Sequence, residues 1–323
     1  MKKKLKWENI IIVCILALLA GAISFSIIQS KEILVWNHTN PFSIFYSNPF
    51  TTNVKNILVL GIPGKESNGG FLTDALLVVH IDFLKNKVSL ISIPRDLLVQ
   101  IPNSQNYIKI NHLLLLDNPS GKITNTKMIR TKIENITSLN IDDVVVIDLD
   151  GFRYFIDALG GINIYLEQPI YDPNLSNPDN PNEAFYLASG WNFLDGKKAA
   201  KFIRSRYGPS GDFYRIGHQH DLLIAIFQKL KTSQYLNNPS KLLEIWNSWK
   251  GYIYTDLSIN DGIKLATFMS NLTKNDIQFL TISHLTPEQL LMSSETPDFG
   301  YILIPSLGLE NYSAIQNYVN KNL

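Results

Sequence analysis

The chain has 323 residues, 45% of them hydrophobic and 18% charged, with a formal net charge of +1. That balance excludes a strongly basic nucleic-acid binder and an acidic disordered chain, and the length is enough for a sizeable apolar core. The single cysteine, Cys14, excludes intramolecular disulfides and cysteine-based zinc or iron–sulfur sites.

Lys2, Lys3, Lys4 and Lys6 in residues 1–8 precede an uncharged, mostly apolar run over 9–30. About 20 apolar residues in a helix cross the roughly 30 Å hydrocarbon core of a bilayer. The lysines predict a cytoplasmic N-terminus, so the chain is expected to be a single-pass protein of the cell membrane with residues 31–323 outside. A cleaved signal peptide fits less well, because apolar sequence continues past Ala20-Gly21-Ala22 through Ile28. Residues 31–52 lack helical or alternating period and read as a spacer.

The folded part is expected over 53–323 as one domain. Asn56–Gly61, Ala75–Ile81 and Lys87–Ile93 read as buried strands, the last two joined by a turn over 82–86. Asp143–Leu149 reads as another strand. A helix follows over Gly151–Leu159, closed by Gly160-Gly161, and Ile162–Leu166 returns as a strand. Asp195-Gly196 opens a short helix, Arg215–Lys231 forms a longer one, and helices near 240–250 and 258–271 and from 309 alternate with strands near 277–282 and 301–304. Strands alternating with helices predict an α/β fold, three-layer α-β-α around a mixed central sheet and preceded by one transmembrane helix.

Two motifs fail on spacing. Gly61-Ile-Pro-Gly64-Lys65-Glu66 has phosphate-loop composition, but Glu66 stands where that loop needs Ser or Thr. His218, His220 and Asp221 are metal-ligating types, yet residues two apart on a helix face different ways, which favours a packed or surface histidine. Arginines at element junctions carry more. Arg95 ends a strand beside Pro94. Arg204-Ser-Arg206 follows a helix, and an extended tripeptide would project both guanidinium groups from one face. Arg215 and Gln219 are stacked four apart near a helix N-terminus. Planar guanidinium forks at such places grip phosphate, and several of them suit a diphosphate. Surface arginine–carboxylate pairing is the competing explanation.

These residues carry a resemblance. Thr73-Asp74, Ser92-Ile-Pro-Arg95-Asp96, Lys109-Ile-Asn111, Leu159-Gly160-Gly161-Ile162, Leu194-Asp195-Gly196 and Arg204-Ser-Arg206 through Asp212, Arg215 and Gln219 follow one another as in the LytR-CpsA-Psr family. The likeness runs over roughly 53 to 230. It implies a cell-envelope phosphotransferase that moves a glycopolymer with one phosphate from a polyprenyl-pyrophosphate carrier to a peptidoglycan acceptor. It also implies that Arg95, Lys109, Arg204, Arg206, Arg215 and Gln219 bind the pyrophosphate and that Asp74 is catalytic with Arg95 and binds Mg²⁺. Pro63 and Lys65 stand where the family's first aspartate and its arginine are usual, so Asp74 alone should hold magnesium weakly. No nucleic acid is expected as a partner. A non-catalytic binder of polyprenyl-linked glycan and a polyprenyl-pyrophosphate hydrolase remain as alternatives.

Overall fold

A computed structural model of the chain describes residues 53–323 apart from 65–69, 181, 209–211, 231–238, 259–260, 263, 266–267 and 269–271. The expected span over 9–30, the spacer over 31–52, the loop residues Lys65 and Glu66 and part of the helix expected over 258–271 lie outside the described residues. Among the described residues, no helix is long and apolar enough to cross a membrane. The chain divides into two compact units. One, here the sheet unit, comprises Val54–Asp150, Ile253–Asp256 and Gln278–Leu323; the other, the ribbon unit, includes Gly151–Tyr252 and Leu257–Ile277.

The sheet unit is built on β1 (Val54–Ile62), β2 (Ala75–Asp82) and β3 (Lys87–Ile93), an antiparallel meander. Burial along these strands is nearly continuous rather than alternating, as expected for strands covered on both faces. The β2–β3 turn is closed by Asp82, whose Oδ1 accepts from the Leu84 and Lys85 N–H groups at 3.0 and 2.9 Å. Then come β4 (Leu98–Gln100), β5 (Tyr107–Lys109), α1 (Leu113–Asp117), α2 (Lys127–Thr137) and β6 (Asp143–Asp148). β6 pairs with β1 in parallel, Leu58 opposite Val144. With β11 (Ile253–Thr255) and β12 (Ile277–Thr281) the strand order is β11-β6-β1-β2-β3-β12. The fold is mixed α/β with a mixed central sheet, as expected. A hairpin of β13 (Leu291–Thr296) and β14 (Gly300–Pro305) and the helix α7 (Ser313–Asn322) complete the unit.

The ribbon unit begins inside α3 (Leu149–Ala158). The expected glycine stop is a Schellman turn: Gly161 N–H donates to the Ile156 carbonyl at 2.9 Å and Gly160 N–H to that of Asp157 at 2.8 Å. Gly161 has φ +71°, and a Cβ there would lie 2.3 Å from the Phe193 ring, so only glycine fits. Two antiparallel ribbons follow: β7 (Ile162–Leu166) with β10 (Gly190–Leu194), and β8 (Ile170–Ser176) with β9 (Ala184–Leu187). β7 alternates buried Ile162, Ile164 and Leu166 with exposed Asn163 and Tyr165, and β8 alternates only over its first residues, Ile170 and Asp172 inward and Tyr171 outward. Next are α4 (Gly196–Phe202), N-capped by Asp195, which accepts from Lys198 N–H at 2.8 Å, then α5 (Asp212–Leu230) and α6 (Pro239–Trp249). α5 starts three residues before the expected Arg215.

Candidate active site

The sheet register assembles the first cluster. Leu76 near the start of β2 lies opposite Ile93 at the end of β3, so Asp74 just before one strand and Arg95 just after the other share one end of the sheet. Asp74 is fixed by its backbone N–H donating to Gly61 O at 2.8 Å, and Thr73 N–H donates to Asn111 O at 2.9 Å. The second bond brings the segment after β5 to the same place, and with it Lys109. The Asp96 carbonyl, in turn, accepts from Leu303 N–H at 3.0 Å.

Side chains then interlock. An Arg95 guanidinium N–H donates to Asp74 Oδ1, Arg95 Nε lies 3.7 Å from Asp96 Oδ2, and Lys109 Nζ donates to Asp96 Oδ1 at 3.0 Å. Asp74, Arg95 and Lys109 are therefore brought together, with Asp96 as the link between the two cations. Asp96 was visible in the sequence only as the neighbour of Arg95. Gly64, the glycine that suggested a phosphate loop, has φ +101°, and a Cβ on it would stand 2.6 Å from Asp148 Oδ1. Its glycine character is thereby accounted for by this local packing.

The ribbon unit carries the second cluster. Ser205 is fully buried while Arg204 and Arg206 on either side are exposed. The backbone is not the extended tripeptide expected but the turn that closes α4, Arg204 and Ser205 N–H both donating to the Lys201 carbonyl at 3.1 and 3.0 Å. Ser205 is held inward by Asp172 on β8, only 3% exposed, whose Oδ2 accepts from Ser205 Oγ at 2.9 Å and Arg206 N–H at 3.2 Å. Asp172 Oδ1 accepts from Asn174 N–H at 2.9 Å. A buried carboxylate needs such donors, and these donors are the loop that presents the arginines. Asp172 went unnoticed in the sequence because Asp-Pro-Asn reads as turn composition.

Among the described residues, no carboxylate forms an ion pair with Arg204 or Arg206. Burial first, then the charges of Arg204 and Arg153, pull the Lys201 ammonium below its ordinary pKa. This end of the unit thus gathers positive charge. Gln219 Nε2 reaches the Ile203 carbonyl at 3.5 Å, bracing the residue before Arg204, and Arg215, one turn earlier on α5, is 3% exposed. His218 packs between rings, 4.7 Å from Phe202 and 4.3 Å from Tyr214 centroid to centroid. It is a packed histidine, one of the two readings its helical spacing favoured.

Among the described residues, no three His, Cys, Asp or Glu side chains stand together as a metal site. Asp74 offers one carboxylate, in contact with Arg95. That donor set fits a magnesium ion only where diphosphate oxygens and water supply the remaining octahedral positions.

A family model described as the LytR_cpsA_psr family matches residues 29–296. The chain is 26% identical over 240 residues to the "Regulatory protein MsrR" of Staphylococcus aureus (strain Mu50 / ATCC 700699), across 72% of this chain and 67% of that protein. It is 26% identical over 230 residues to the "Polyisoprenyl-teichoic acid--peptidoglycan teichoic acid transferase TagV" of Bacillus subtilis (strain 168), across 71% of this chain but 56% of TagV. The crystal structure of B. subtilis TagV matches with a TM-score of 0.64 at 23% identity, covering 85% of this chain and 98% of that one. A structure described as "TagT bound to LI-WTA" gives 0.59 at 19% identity, covering 84% and 91%. At such identities the structural likeness establishes the fold.

Proposed function

The chain belongs to the LytR_cpsA_psr family, and from that premise we propose that it is a membrane-anchored glycopolymer phosphotransferase. Its donor is a glycopolymer on a polyprenyl-pyrophosphate carrier, and its acceptor is peptidoglycan or a related wall glycan. The supporting observation is the Arg204-Ser205-Arg206 tripeptide, tied down by a buried carboxylate with both guanidinium groups left in solvent. A surface that invests a buried Asp in presenting two cations is arranged for an anion. The transferase name carried by TagV points the same way.

In this reading an acceptor hydroxyl oxygen attacks the phosphorus nearer the sugar. A new P–O bond forms, the bond from that phosphorus to the bridging oxygen breaks, and polyprenyl phosphate leaves with the electron pair. Asp74 takes the hydroxyl proton. Arg95, Lys109, Arg204, Arg206 and Arg215 neutralise charge on the diphosphate, which is most of what phosphoryl transfer asks of a protein. Gln219 holds the backbone ahead of Arg204. Asp74 would also hold a magnesium ion, which when bound supplies further neutralisation of the diphosphate.

The test incubates the full chain with a polyprenyl-pyrophosphoryl saccharide, peptidoglycan fragments and Mg²⁺, and follows products by mass spectrometry. The expected products are a phosphodiester-linked saccharide on the fragment and polyprenyl phosphate, both lost in Asp74→Asn. Free saccharide phosphate would make the protein a hydrolase. Unchanged donor that nonetheless binds would make it a binding module.

A further inference from the structure

Three tyrosine rings stand in water beside the arginine tripeptide of the ribbon unit. Tyr171 on β8 and Tyr186 on β9 lie directly opposite one another across the ribbon and are 53% and 55% exposed. Tyr207, also 55% exposed, follows Arg206, and its ring centroid is 6.2 Å from that of Tyr171 with the planes 84° apart. Strand alternation connects the two features. Asp172 and Phe185, the next pair along the ribbon, point inward, so the strand that buries the carboxylate anchoring Ser205 and Arg206 turns Tyr171 outward. Rings and guanidinium groups are thereby held on one small frame.

Exposed rings are costly in water and need a partner with an apolar face, while their hydroxyls ask for polar contacts at the edge. The neighbouring charge narrows the choice. Arg204 and Arg206 are exposed cations without a carboxylate partner among the described residues, and the charges of Arg204 and Arg153 add to burial in lowering the Lys201 pKa. We infer that this surface is a subsite for a phosphate-bearing saccharide, the C–H faces of the sugar resting on Tyr171, Tyr186 and Tyr207 while Arg204 and Arg206 take the phosphate. The inference rests on the transferase reading and adds to it where the first sugars of the donor lie. Tyrosines also gather at the level of lipid headgroups; that other occupant is an outcome of the test.

The test titrates the full chain in detergent with two probes, farnesyl pyrophosphate and farnesyl-pyrophosphoryl N-acetylglucosamine. The sugar should tighten binding by about tenfold, the gain of one good ring contact. Tyr171→Thr, Tyr186→Thr and Tyr207→Ala should each erase most of that gain and leave the affinity for farnesyl pyrophosphate unchanged. Thr is chosen on the strands because it suits them. Tyr171→Phe, which keeps the ring face, should retain the gain whatever happens to the Thr variant. A sugar gain that survives all three substitutions, or an equal loss on both probes, overturns the subsite and leaves the donor reading intact. Failure of the native chain to bind either probe overturns the donor reading itself. Protection of these tyrosines from aqueous nitration by phosphatidylglycerol vesicles alone would make the surface a lipid contact and overturn the proposal.

Discussion

Arg95 touches two carboxylates, Asp74 directly and Asp96 at 3.7 Å, and Lys109 shares Asp96 at 3.0 Å. Two cations thus face two anions, so a diphosphate arriving here must draw Arg95 away from its resting partners. A charge-assisted contact of this kind is typically worth about 1.5–3 kcal/mol, or roughly 10- to 100-fold in rate if made in the transition state. Arg95→Ala should therefore lose turnover in that range. Its melting temperature should change little, because partly exposed ion pairs contribute no more than about 1 kcal/mol. Arg95→Lys should recover activity only in part, since an ammonium lacks the bidentate fork. Activity that falls in step with the unfolded fraction would make Arg95 a scaffold residue. Arg95 is legible in the sequence because a cation ending an apolar strand beside proline has no packing reason to be there. Asp172 is not, because its burial arises from the pairing of β8 with β9.

α5 shows the same division at the scale of an element. Its existence follows from the apolar spacing of Leu222, Ala225, Ile226 and Leu230, all buried. Its first turns carry instead the rings that stack on Phe202 and over Gly208, where an added Cβ would lie 2.5 Å from Tyr214. Burial pushes the His218 pKa down from 6.5 to about 4, against the opposing pull of backbone hydrogen bonds at Ser205 and Phe202 and the charge of Asp172. The unfolded chain takes up this proton as pH falls through about 6.5, and the folded chain does not until about 4. The stability this ring contributes as a neutral group is therefore complete above about 6.5 and lost as pH falls towards 4. The loss should be roughly 2 kcal/mol between pH 7 and pH 5. His220 on the same helix is likewise pushed down to about 4 by burial, and Asp221 is pushed up to about 6 by burial and then the Glu167 charge, which acts in the opposite sense. The His218 share is therefore read from urea midpoints, at the two pH values, of the native chain and of His218→Phe, which keeps a stacked ring. The variant should lose that part of the pH dependence, and an unchanged slope would mean that the proton goes elsewhere. The long buried strands β1, β2, β3 and β6 were readable from continuous apolar runs. β8 was not, since Pro173 and the irregular pairing between Asp172 and Ser176 interrupt its alternation.

For the whole molecule, a net charge of +1 conceals an uneven distribution. Lysines precede the apolar run over 9–30, and cations gather around Arg204 in the ribbon unit. If the lysines set the orientation, an alkaline phosphatase fused after Leu323 should be active and a cytoplasm-dependent reporter there silent; the reverse pattern would remove the enzyme from the compartment that holds its proposed acceptor. Finally, the sheet unit is discontinuous along the chain. β1, β2 and β3 can zip together as soon as they are made, but β3 meets its outer neighbour only once Ile277 has been synthesised, and β6 must wait for Ile253. During the intervening synthesis of the ribbon unit, two sheet edges stand with unpaired N–H and C=O groups. Newly made chains are therefore most exposed to mispairing with one another in that interval, and premature termination within the ribbon unit should yield aggregates rather than a smaller folded protein.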